Sequence, residues 1–391
     1  MTKVSVVVPV YNAEDFLSDS LNSIVNQTLK DIEIICVNDG STDNSLQILQ
    51  EYARKDDRLI VINQDNKGAG YSRNVGLKIA KGKYLSFLDA DDIFDETMLE
   101  KAYATAEEYD AEITVFKCDI FDSNTRKKFN FDLSFREDLM PEGPCFSSKH
   151  PDAKDNIFHM FVGWAWDKLF LKEFIVRENI TFQELRTTND MFFVHYALSR
   201  AERIAKLPEV LVHQRINNSQ SLSNTREKSW DCFYKALLLL KQRLEESSEF
   251  ETYKQAYTNW ALNLSLWHLA TIGETRCLNV LHLFKTGVCY ELGVLGHNKD
   301  YYYDENEYND LQKLINISDE DYLLEKIFAL KNRVAVLERE KESVIQERDN
   351  TVQRLTNKIN SIYESKTFKA GLTVLYVPKL LAKLIGCKKK K

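Results

Sequence analysis

Short apolar segments and amphipathic segments alternate through the first 118 residues, and this alternation limits the fold more than any other feature of the chain. The apolar segments predict strands at residues 4–10, 32–38, 59–64, 84–88 and 112–118, and the amphipathic ones predict helices at residues 15–26, 43–54, 69–80 and 96–109. Strands that alternate with helices in this way form a mostly parallel sheet with helices on both faces. The sequence therefore predicts a Rossmann-like α/β fold, with Asp43 as the N-cap of the second helix.

The length and composition of the chain favour a globular protein of several units. At 391 residues it exceeds one ordinary hydrophobic core, so we expect two or three units. Its formal net charge of −7 argues against a nucleic-acid partner. The seven cysteines include no Cys-x-x-Cys pair, which favours free thiols in a reducing compartment.

The chain shows neither a secretion signal nor a membrane span. The first predicted strand starts at Val4, which leaves no room for a charged region, an apolar region and a cleavage site. No segment approaches the ~20 apolar residues that cross a bilayer. We therefore expect a cytoplasmic protein.

The periodicity changes along the chain and predicts five regions. Residues 1–118 carry the alternation, and residues 119–225 are less regular, with polar clusters typical of loops. Residues 226–320 are helical and rich in aromatic side chains, residues 321–366 form a long helix, and residues 367–391 form a basic tail.

The long helix has apolar residues at a spacing typical of heptads. They are Ile327, Leu330, Val334, Leu337 and Val344, followed after an insertion of four residues by Val352, Leu355, Ile359 and Ile362. Lys341, Arg348 and Thr351 interrupt the stripe. Two alternatives stay open: a coiled coil, which allows a homodimer, and a solvated helix that packs on its own protein.

The basic tail contains seven lysines and no Asp or Glu. Its apolar run is too short to span a bilayer, but basic amphipathic segments bind anionic membrane surfaces. We expect residues 367–391 to attach the protein peripherally to the inner surface of the cytoplasmic membrane.

Polar residues follow three of the predicted strands. The stretches are Val8-Pro9-Val10-Tyr11-Asn12, Asn38-Asp39-Gly40-Ser41-Thr42-Asp43 and Leu88-Asp89-Ala90-Asp91-Asp92. Open α/β sheets bind ligands at the carboxyl ends of their strands, so these side chains should share one site. Asp89 and Asp91 are spaced to share a divalent cation and a diphosphate that the cation neutralises. Taken alone, each acidic stretch is also an ordinary turn or helix-start sequence.

Together with Asn66-Lys67-Gly68 and Ser72-Arg73-Asn74-Val75-Gly76, these stretches resemble the donor half of family 2 glycosyltransferases, which have the GT-A fold. The resemblance covers residues 1–118 and implies that they bind the sugar donor, while residues 119–225 bind the acceptor. It implies a UDP-sugar donor, because the Asp at the position of Asp39 binds the uracil imide in the family. It also implies Mn²⁺ or Mg²⁺ as the cofactor.

The resemblance further implies a set of donor-binding residues. They are Pro9, Val10, Tyr11, Asn12, Asp39, Asn66, Gly68, Arg73, Asp89, His213 and Arg215. Asp89 would face the ribose or the metal, Asp91 would bind the metal directly, and Asp92 would orient its neighbours or cap the following helix. Arg73 has a second interpretation, as a structural ion-pair partner of these acids.

Asp190 is the candidate catalytic base. An inverting transfer needs a group that takes the proton of the acceptor hydroxyl. The segment Arg186-Thr187-Thr188-Asn189-Asp190-Met191 is similar to the acidic pair that starts a helix on the acceptor side in the family, although Asn189 replaces the first acid. A role as the N-cap of that helix is the alternative, and both roles can coexist.

Two further segments resemble family motifs around the donor and the acceptor. Trp164, Trp166 and Lys168 resemble an acceptor-binding Trp-x-Lys-Leu segment, although buried aromatic residues are more often part of a core. His213 and Arg215 are similar to a mobile loop that closes over the diphosphate, in which His213 would bind the cation or a phosphate. A surface loop that binds no ligand is the alternative for Arg215.

The sequence thus predicts an inverting, metal-dependent glycosyltransferase that moves a sugar from a UDP-sugar to a hydroxyl of a glycan acceptor in cell-surface polysaccharide synthesis, and we expect that acceptor to be lipid-linked. The alternative is an inactive GT-A protein that assembles a complex through its C-terminal helix. A glycoside hydrolase, with two acids flanking the scissile bond, has no use for the turn at Asp39. A sugar nucleotidyltransferase would need a glycine-rich signature near the first strand.

Overall fold

The computed structural model describes residues 2–366 apart from 124, 126, 217–221, 274 and 275, together with residue 370. Contacts divide the chain into two compact units, Met1–Asn316 and Ile317–Lys391. The basic tail at residues 367–391 lies outside the described residues except for residue 370, so its predicted membrane attachment stays a prediction.

One mixed sheet organises the first unit. Its strands are β1 (Val4–Val10), β2 (Ile32–Asp39), β3 (Leu59–Gln64), β4 (Tyr84–Phe87), β5 (Ile93–Phe94), β6 (Ile113–Asp122), β7 (Lys128–Asn130), β8 (Cys145–Phe146), β9 (Lys168–Leu171) and β10 (Ile204–Ile216). They lie in the order β3-β2-β1-β4-β9-β6-β10-β5, with β7 paired to β6 and β8 to β10. The first four strands in this order are parallel, as expected for strands joined by crossover helices.

Helices are interspersed with these strands as far as β10, and further helices follow β10 in the chain. They are α1 (Glu14–Val25), α2 (Ser45–Ala53), α3 (Ala69–Ile79), α4 (Met98–Glu108), α5 (Pro151–Lys154), α6 (Lys172–Arg177), α7 (Met191–Arg200), α8 (Cys232–Glu246), α9 (Phe250–Thr271), α10 (Cys277–Leu283) and α11 (Glu305–Asn316). Every strand and helix predicted in residues 1–118 is present, with ends that agree within two residues except at β6, which extends to Asp122. The α/β class is confirmed.

One detail of the second helix differs from the prediction. Helix α2 begins at Ser45, and Asn44 rather than Asp43 holds the N-cap position. The Asp43 carboxylate nevertheless accepts a hydrogen bond from the backbone N–H of Ser45 at 2.9 Å. Asp43 therefore still satisfies a free amide at the start of the helix, from the position before the N-cap.

The two faces of the sheet bury different helices. Val4, Val6, Val8 and Val10 of β1 belong to one buried cluster with residues of α1, α2 and α4. Because side chains alternate along a strand, Val7 points to the other face, where it contacts Gly76 of α3. Burial on both faces explains why β1 is apolar throughout.

Strand β9 is the main feature that the sequence does not reveal. It inserts between β4 and β6 and is antiparallel to both. The insertion brings the segment that precedes β9 to the edge of the sheet where β4 ends, next to the acidic stretch at Asp89.

The second unit consists mainly of α12 (Asp319–Glu364), a helix of 46 residues. The Ser318 side chain caps its start by accepting a hydrogen bond from the backbone N–H of Asp321 at 3.1 Å. The long helix is confirmed, and its apolar stripe is exposed. Within the described part of the chain, no helix is both long and apolar enough to cross a membrane.

Candidate active site

Three carboxylates cluster in the loop after β4. One oxygen from each of Asp89, Asp91 and Asp92 lies within 4.8 Å of the others. Asp92 is buried, and burial, followed by the negative charges of Asp91 and Asp89, raises the pKa of its carboxyl well above the usual range. The cluster therefore opposes its own ionisation as long as no cation balances it.

The residues of this cluster fit a divalent cation. All three offer hard carboxylate oxygens, which Mg²⁺ and Mn²⁺ prefer, and Asp89 and Asp91 are accessible from solvent. The raised pKa of Asp92 marks a site at which positive charge would relieve repulsion between like charges.

Arg215 fixes the shape of the acidic loop from the neighbouring strand β10. Its backbone N–H donates to Asp92 Oδ1 at 2.8 Å, and its Nε donates to the backbone oxygen of Asp91 at 2.7 Å. The side chain of Arg215 is only 3% exposed and lies against the rings of Phe16 and Phe121. It supports the acidic loop from inside the protein.

Arg73 connects the acidic loop to the segment that carries Asp190. From α3, its Nη2 donates to Asp89 Oδ1 and its Nη1 donates to Asn189 Oδ1, each at 2.6 Å. The guanidinium is buried and also lies over the ring of Phe182. Both of its predicted interpretations fit this position, because it pairs with the acids and adds positive charge beside them.

Asp190 precedes α7 and occupies its N-cap position, but its side chain makes no capping hydrogen bond. Burial, partly offset by the charge of Arg73, raises the pKa of its carboxyl to about 6, and the nearby charge of Asp89 also raises it. The carboxylate is thus near the acidic cluster and is not used to cap the helix. A pKa near neutrality suits a general base.

Asp39 lies at the end of β2, on the same edge of the sheet as the acidic loop after β4. Its Oδ1 accepts from Gln64 Nε2 at 2.8 Å and from the backbone N–H of Lys67 at 2.9 Å, and its Oδ2 accepts from the backbone N–H of Gly68 at 2.7 Å. Gly68 has φ +91°, a conformation that favours glycine. Asp39 therefore holds the loop before α3 in place, and Oδ2, which accepts only one hydrogen bond from the protein, keeps lone-pair capacity for a ligand.

The other predicted donor-binding residues surround this point. Tyr11 is 53% exposed and Asn66 is exposed, whereas Val10 is fully buried and only its backbone is available. Asn12 accepts from the backbone N–H of Thr42 at 2.8 Å, which ties the loop after β1 to the loop after β2. Pro9 lies on β1, opposite Val37 of β2 in the parallel register.

Two predicted acceptor-binding residues, Trp166 and Lys168, have buried side chains, which favours a role in the core for both. Lys168 is completely buried, and its ammonium group donates to the backbone oxygens of Val162 and Trp164 and to Asp167 Oδ1. Trp166 is 2% exposed and stacks on Trp164, with ring centroids 4.6 Å apart. Trp164 is only partly buried, with its ring against those of Phe131 and Trp166, and its contact with an acceptor stays a prediction.

The prediction of a loop that starts at His213 is wrong for residues 213–216, because they belong to strand β10. The remainder of that loop, residues 217–221, lies outside the described residues. Nδ1 of His213 lies 2.5 Å from Asp119 Oδ1, and His213 is not part of the acidic cluster. In this structure the third acid of the cluster is Asp92, and Arg215 faces the interior.

Two residues, Asp92 and Asn189, have larger roles in the site than the sequence predicts. Asp92 completes the cluster, and the uninterrupted acidic pair Asp91-Asp92 was its signal in the sequence. Asn189 accepts a hydrogen bond from Arg73, so the amide that replaces the acid of the family pair still has a defined partner. That contact joins residues 116 positions apart and has no local signal.

The likeness to known proteins agrees with this geometry. The family described as "Glycosyl transferase family 2" matches residues 5–165. EpsH of Bacillus subtilis (strain 168) is 32% identical over 260 residues, which are 64% of this chain and 72% of EpsH. The chain belongs to glycosyl transferase family 2. EpsJ of the same organism is 33% identical over 215 residues, 55% of this chain, and the match spans 61% of EpsJ, which is less than two thirds of its length.

The fold of this family 2 chain is also found among solved structures. The S. aureus TarS 1–349 structure in complex with UDP-GlcNAc covers 80% of this chain and 90% of its own, with a TM-score of 0.60 and 21% identity. At that identity the likeness shows the fold alone, and it confirms the predicted GT-A architecture.

Proposed function

We propose that the protein is an inverting glycosyltransferase that moves a sugar from a UDP-sugar to a hydroxyl group of a glycan acceptor, with the help of a divalent cation. One observation carries the proposal: Arg73 joins the acidic cluster, through Asp89, to the segment that carries Asp190, through Asn189. A cation-binding group and a candidate base therefore lie on either side of one arginine, as a transfer between two bound substrates requires.

The family and the loop around Asp39 support a UDP-sugar as the donor. TarS, which shares the fold, has been crystallised with UDP and with UDP-GlcNAc. In this chain Tyr11 and Asn66 are exposed, and they lie in the loops that follow β1 and β3, on either side of β2, which ends at Asp39. A uracil that donates its imide N–H to Asp39 would place the diphosphate toward Asp89 and Asp91.

In the reaction, Asp190 would take the proton of the acceptor hydroxyl as that oxygen attacks the anomeric carbon. The bond between the anomeric carbon and the diphosphate oxygen breaks, and its electron pair leaves with UDP. Asp89, Asp91 and Asp92 would hold the cation, which neutralises negative charge on the leaving diphosphate when it is bound. Arg73 orients Asp89 and adds a positive charge to the anionic site.

The same proposal gives each region of the chain a separate role. Residues 1–118 would bind the donor, and residues 119–225 would bind a glycan acceptor, with Trp164 as the aromatic surface for a sugar ring. The helical residues 226–320 and the long helix at residues 321–366 would extend this catalytic core. The basic tail would hold the enzyme at the inner membrane surface, where lipid-linked acceptors are available.

A panel of nucleotide sugars tests the proposal directly. We expect release of UDP from at least one UDP-sugar in the presence of Mn²⁺, loss of that activity with EDTA, and no turnover of GDP-sugars. Asp91→Asn should abolish metal-dependent binding of UDP in calorimetry, whereas Asp138→Asn, an exposed control paired with Arg136, should bind as the native protein does. A protein that binds neither UDP nor Mn²⁺ would instead fit the inactive scaffold.

A further inference from the structure

We propose that α12 forms an antiparallel coiled coil with α12 of a second copy of this chain, with the two-fold axis passing between Ala335 and Val336. The apolar stripe of α12 is the first observation. Ile327, Leu330, Val334, Leu337 and Val344 are spaced alternately by three and four residues, apart from one seven-residue step across Lys341, and are between 40% and 65% exposed. A stripe of this length and regularity favours burial against another helix.

The charges beside the stripe are the second observation, because they are segregated along the helix. One flank carries Lys326 and Arg333 in its first half and Glu340 and Glu347 in its second half. The other flank carries Lys331 and then Glu338. A helix that is basic in one half and acidic in the other half on both flanks is complementary to its own reversed copy.

The antiparallel alignment pairs every one of these charges with an opposite charge. With Val334 of one copy against Leu337 of the other, Arg333 faces Glu340, Lys331 faces Glu338 and Lys326 faces Glu347. The same register sets Leu324 against Ile345, so the two uncharged flank positions also meet. By two-fold symmetry each of these pairs occurs twice.

Moving the register by one heptad destroys this pattern. A shift in one direction makes Glu338 of one chain face Glu338 of the other, and Glu340 face Glu340. The opposite shift makes Lys331 face Lys331 and Arg333 face Arg333. An axis between Val344 and Ile345, which would also align the apolar residues 352–362, sets Arg333 against Lys358 and Lys341 against Arg348.

The parallel alignment is disfavoured for the same reason. It sets Lys341 on Lys341 and Arg348 on Arg348 in the centre of the stripe, and Lys326 beside Lys331 on its flank. In the antiparallel pair, Lys341 lies against Leu330, where its long apolar stem can pack while its charge reaches the rim. The two chains then enter the paired helices from opposite ends.

Charge reversal in the full-length protein tests both the pairing and its direction. Lys331→Glu should weaken the dimer about tenfold, because it creates two Glu–Glu pairs with position 338, and adding Glu338→Lys should restore the native dissociation constant. Arg339→Glu, the same charge change on the outer face, is the matched control and should change little. Analytical ultracentrifugation over a concentration series measures all four proteins.

Whether Lys331→Glu weakens or tightens the dimer decides between the antiparallel and the parallel arrangement of the two helices. In a parallel pair this change would relieve repulsion with Lys326 and tighten the dimer, which would overturn the proposal. A native protein that stays monomeric up to about 100 μM, or an assembly other than a dimer, would also overturn it.

Disulfide trapping tests the register. In a mixture of two differently tagged chains, Lys326→Cys and Glu347→Cys should cross-link under a mild oxidant, because a parallel pair would hold them about 31 Å apart, 21 residues at 1.5 Å each. Cross-linking of Lys326→Cys with Ser365→Cys instead would place the axis near Val344 and reject this register. The unmodified protein controls for its native thiols.

Discussion

Asp190 and Asp92 both lie in surroundings that oppose their ionisation, but the proposed roles make different demands on them. A general base must be ionised to accept a proton, and its pKa should lie just below the working pH. A cation ligand must lose its proton when the cation binds. Asp190 would therefore control how the rate depends on pH, and Asp92 would control how stability depends on the metal.

The pKa of about 6 for Asp190 predicts an acidic limb in the rate profile. We expect kcat/KM to fall about tenfold for each pH unit below that value, because the protonated carboxyl cannot act as a base, and a bound cation would move the limb lower. Asp190→Asn should lower kcat by about 10²- to 10⁴-fold. Binding of UDP and Mn²⁺, measured by calorimetry, should be unchanged in the variant; a variant that transfers sugar at the native rate would remove Asp190 from the mechanism.

Asp92 makes the metal-free protein less stable as pH rises. Because folding raises the pKa of Asp92, the folded state holds this proton more tightly than the unfolded state, so stability is lost as pH rises through the folded pKa. Asp92→Asn removes this cost, and its amide oxygen can still accept from Arg215. We expect a gain of about 0.5–2 kcal/mol in EDTA at pH 7 that disappears near pH 4, measured by thermal unfolding.

The same variant should respond less to metal. Mn²⁺ should raise the unfolding temperature of the native protein and raise that of Asp92→Asn less, because one oxygen anion has been lost from the cluster. If Asp92→Asn were less stable than the native protein in EDTA, the charge repulsion inferred for the cluster would be absent.

At the scale of elements, the sequence predicts those strands, helices and site residues whose own neighbouring residues form a recognisable pattern. Strand β1 is visible as a short, continuously apolar run and helix α3 as a segment between turn signals, and the acidic cluster consists of near neighbours in sequence. Strand β9 has four residues, and its place between β4 and β6 depends on partners more than 50 residues away. The three acceptors of the buried Lys168 ammonium group lie within six residues of it in the sequence, but two of them are backbone oxygens, whose direction no residue pattern reveals.

Helix α3 joins the two halves of the site, and a glycine makes this contact possible. A Cβ atom on Gly70 would lie 2.0 Å from the backbone oxygen of Gln183 and 3.2 Å from Cβ of Asn189. Gly70→Ala should therefore push away the segment that carries Asn189 and Asp190, at a cost of about 1–3 kcal/mol in stability. We expect kcat to fall about tenfold or more in the folded protein.

Gly76→Ala is the matched control on the same helix. There the added Cβ atom would meet the Val7 side chain, at 2.3 Å from Cγ1, in the core and away from Asn189. This variant should lose stability, by differential scanning calorimetry, yet keep kcat within about twofold. Equal losses of kcat in the two variants would show that α3 affects the site only through overall stability.

At the scale of the whole molecule, charge is distributed unevenly. The chain has a formal charge of −7 although residues 367–391 carry seven lysines and no acid. The rest of the protein is therefore strongly acidic, and an anionic membrane would repel it. The tail is therefore the segment that we expect to attract such a membrane, and its role should be separable from catalysis.

Removing residues 367–391 tests this separation. Each lysine near an anionic surface contributes about 1 kcal/mol, so the truncated protein should bind vesicles with 30% phosphatidylserine at least about 100-fold more weakly in co-sedimentation. Its transfer to a soluble acceptor should stay at the native rate, because every residue assigned to the site lies between residues 9 and 215. Changing the seven lysines to glutamine in the full-length chain should reproduce the loss and separate charge from the apolar side chains. Undiminished vesicle binding after truncation would require another surface, and the acidic remainder of the chain makes that outcome the least expected.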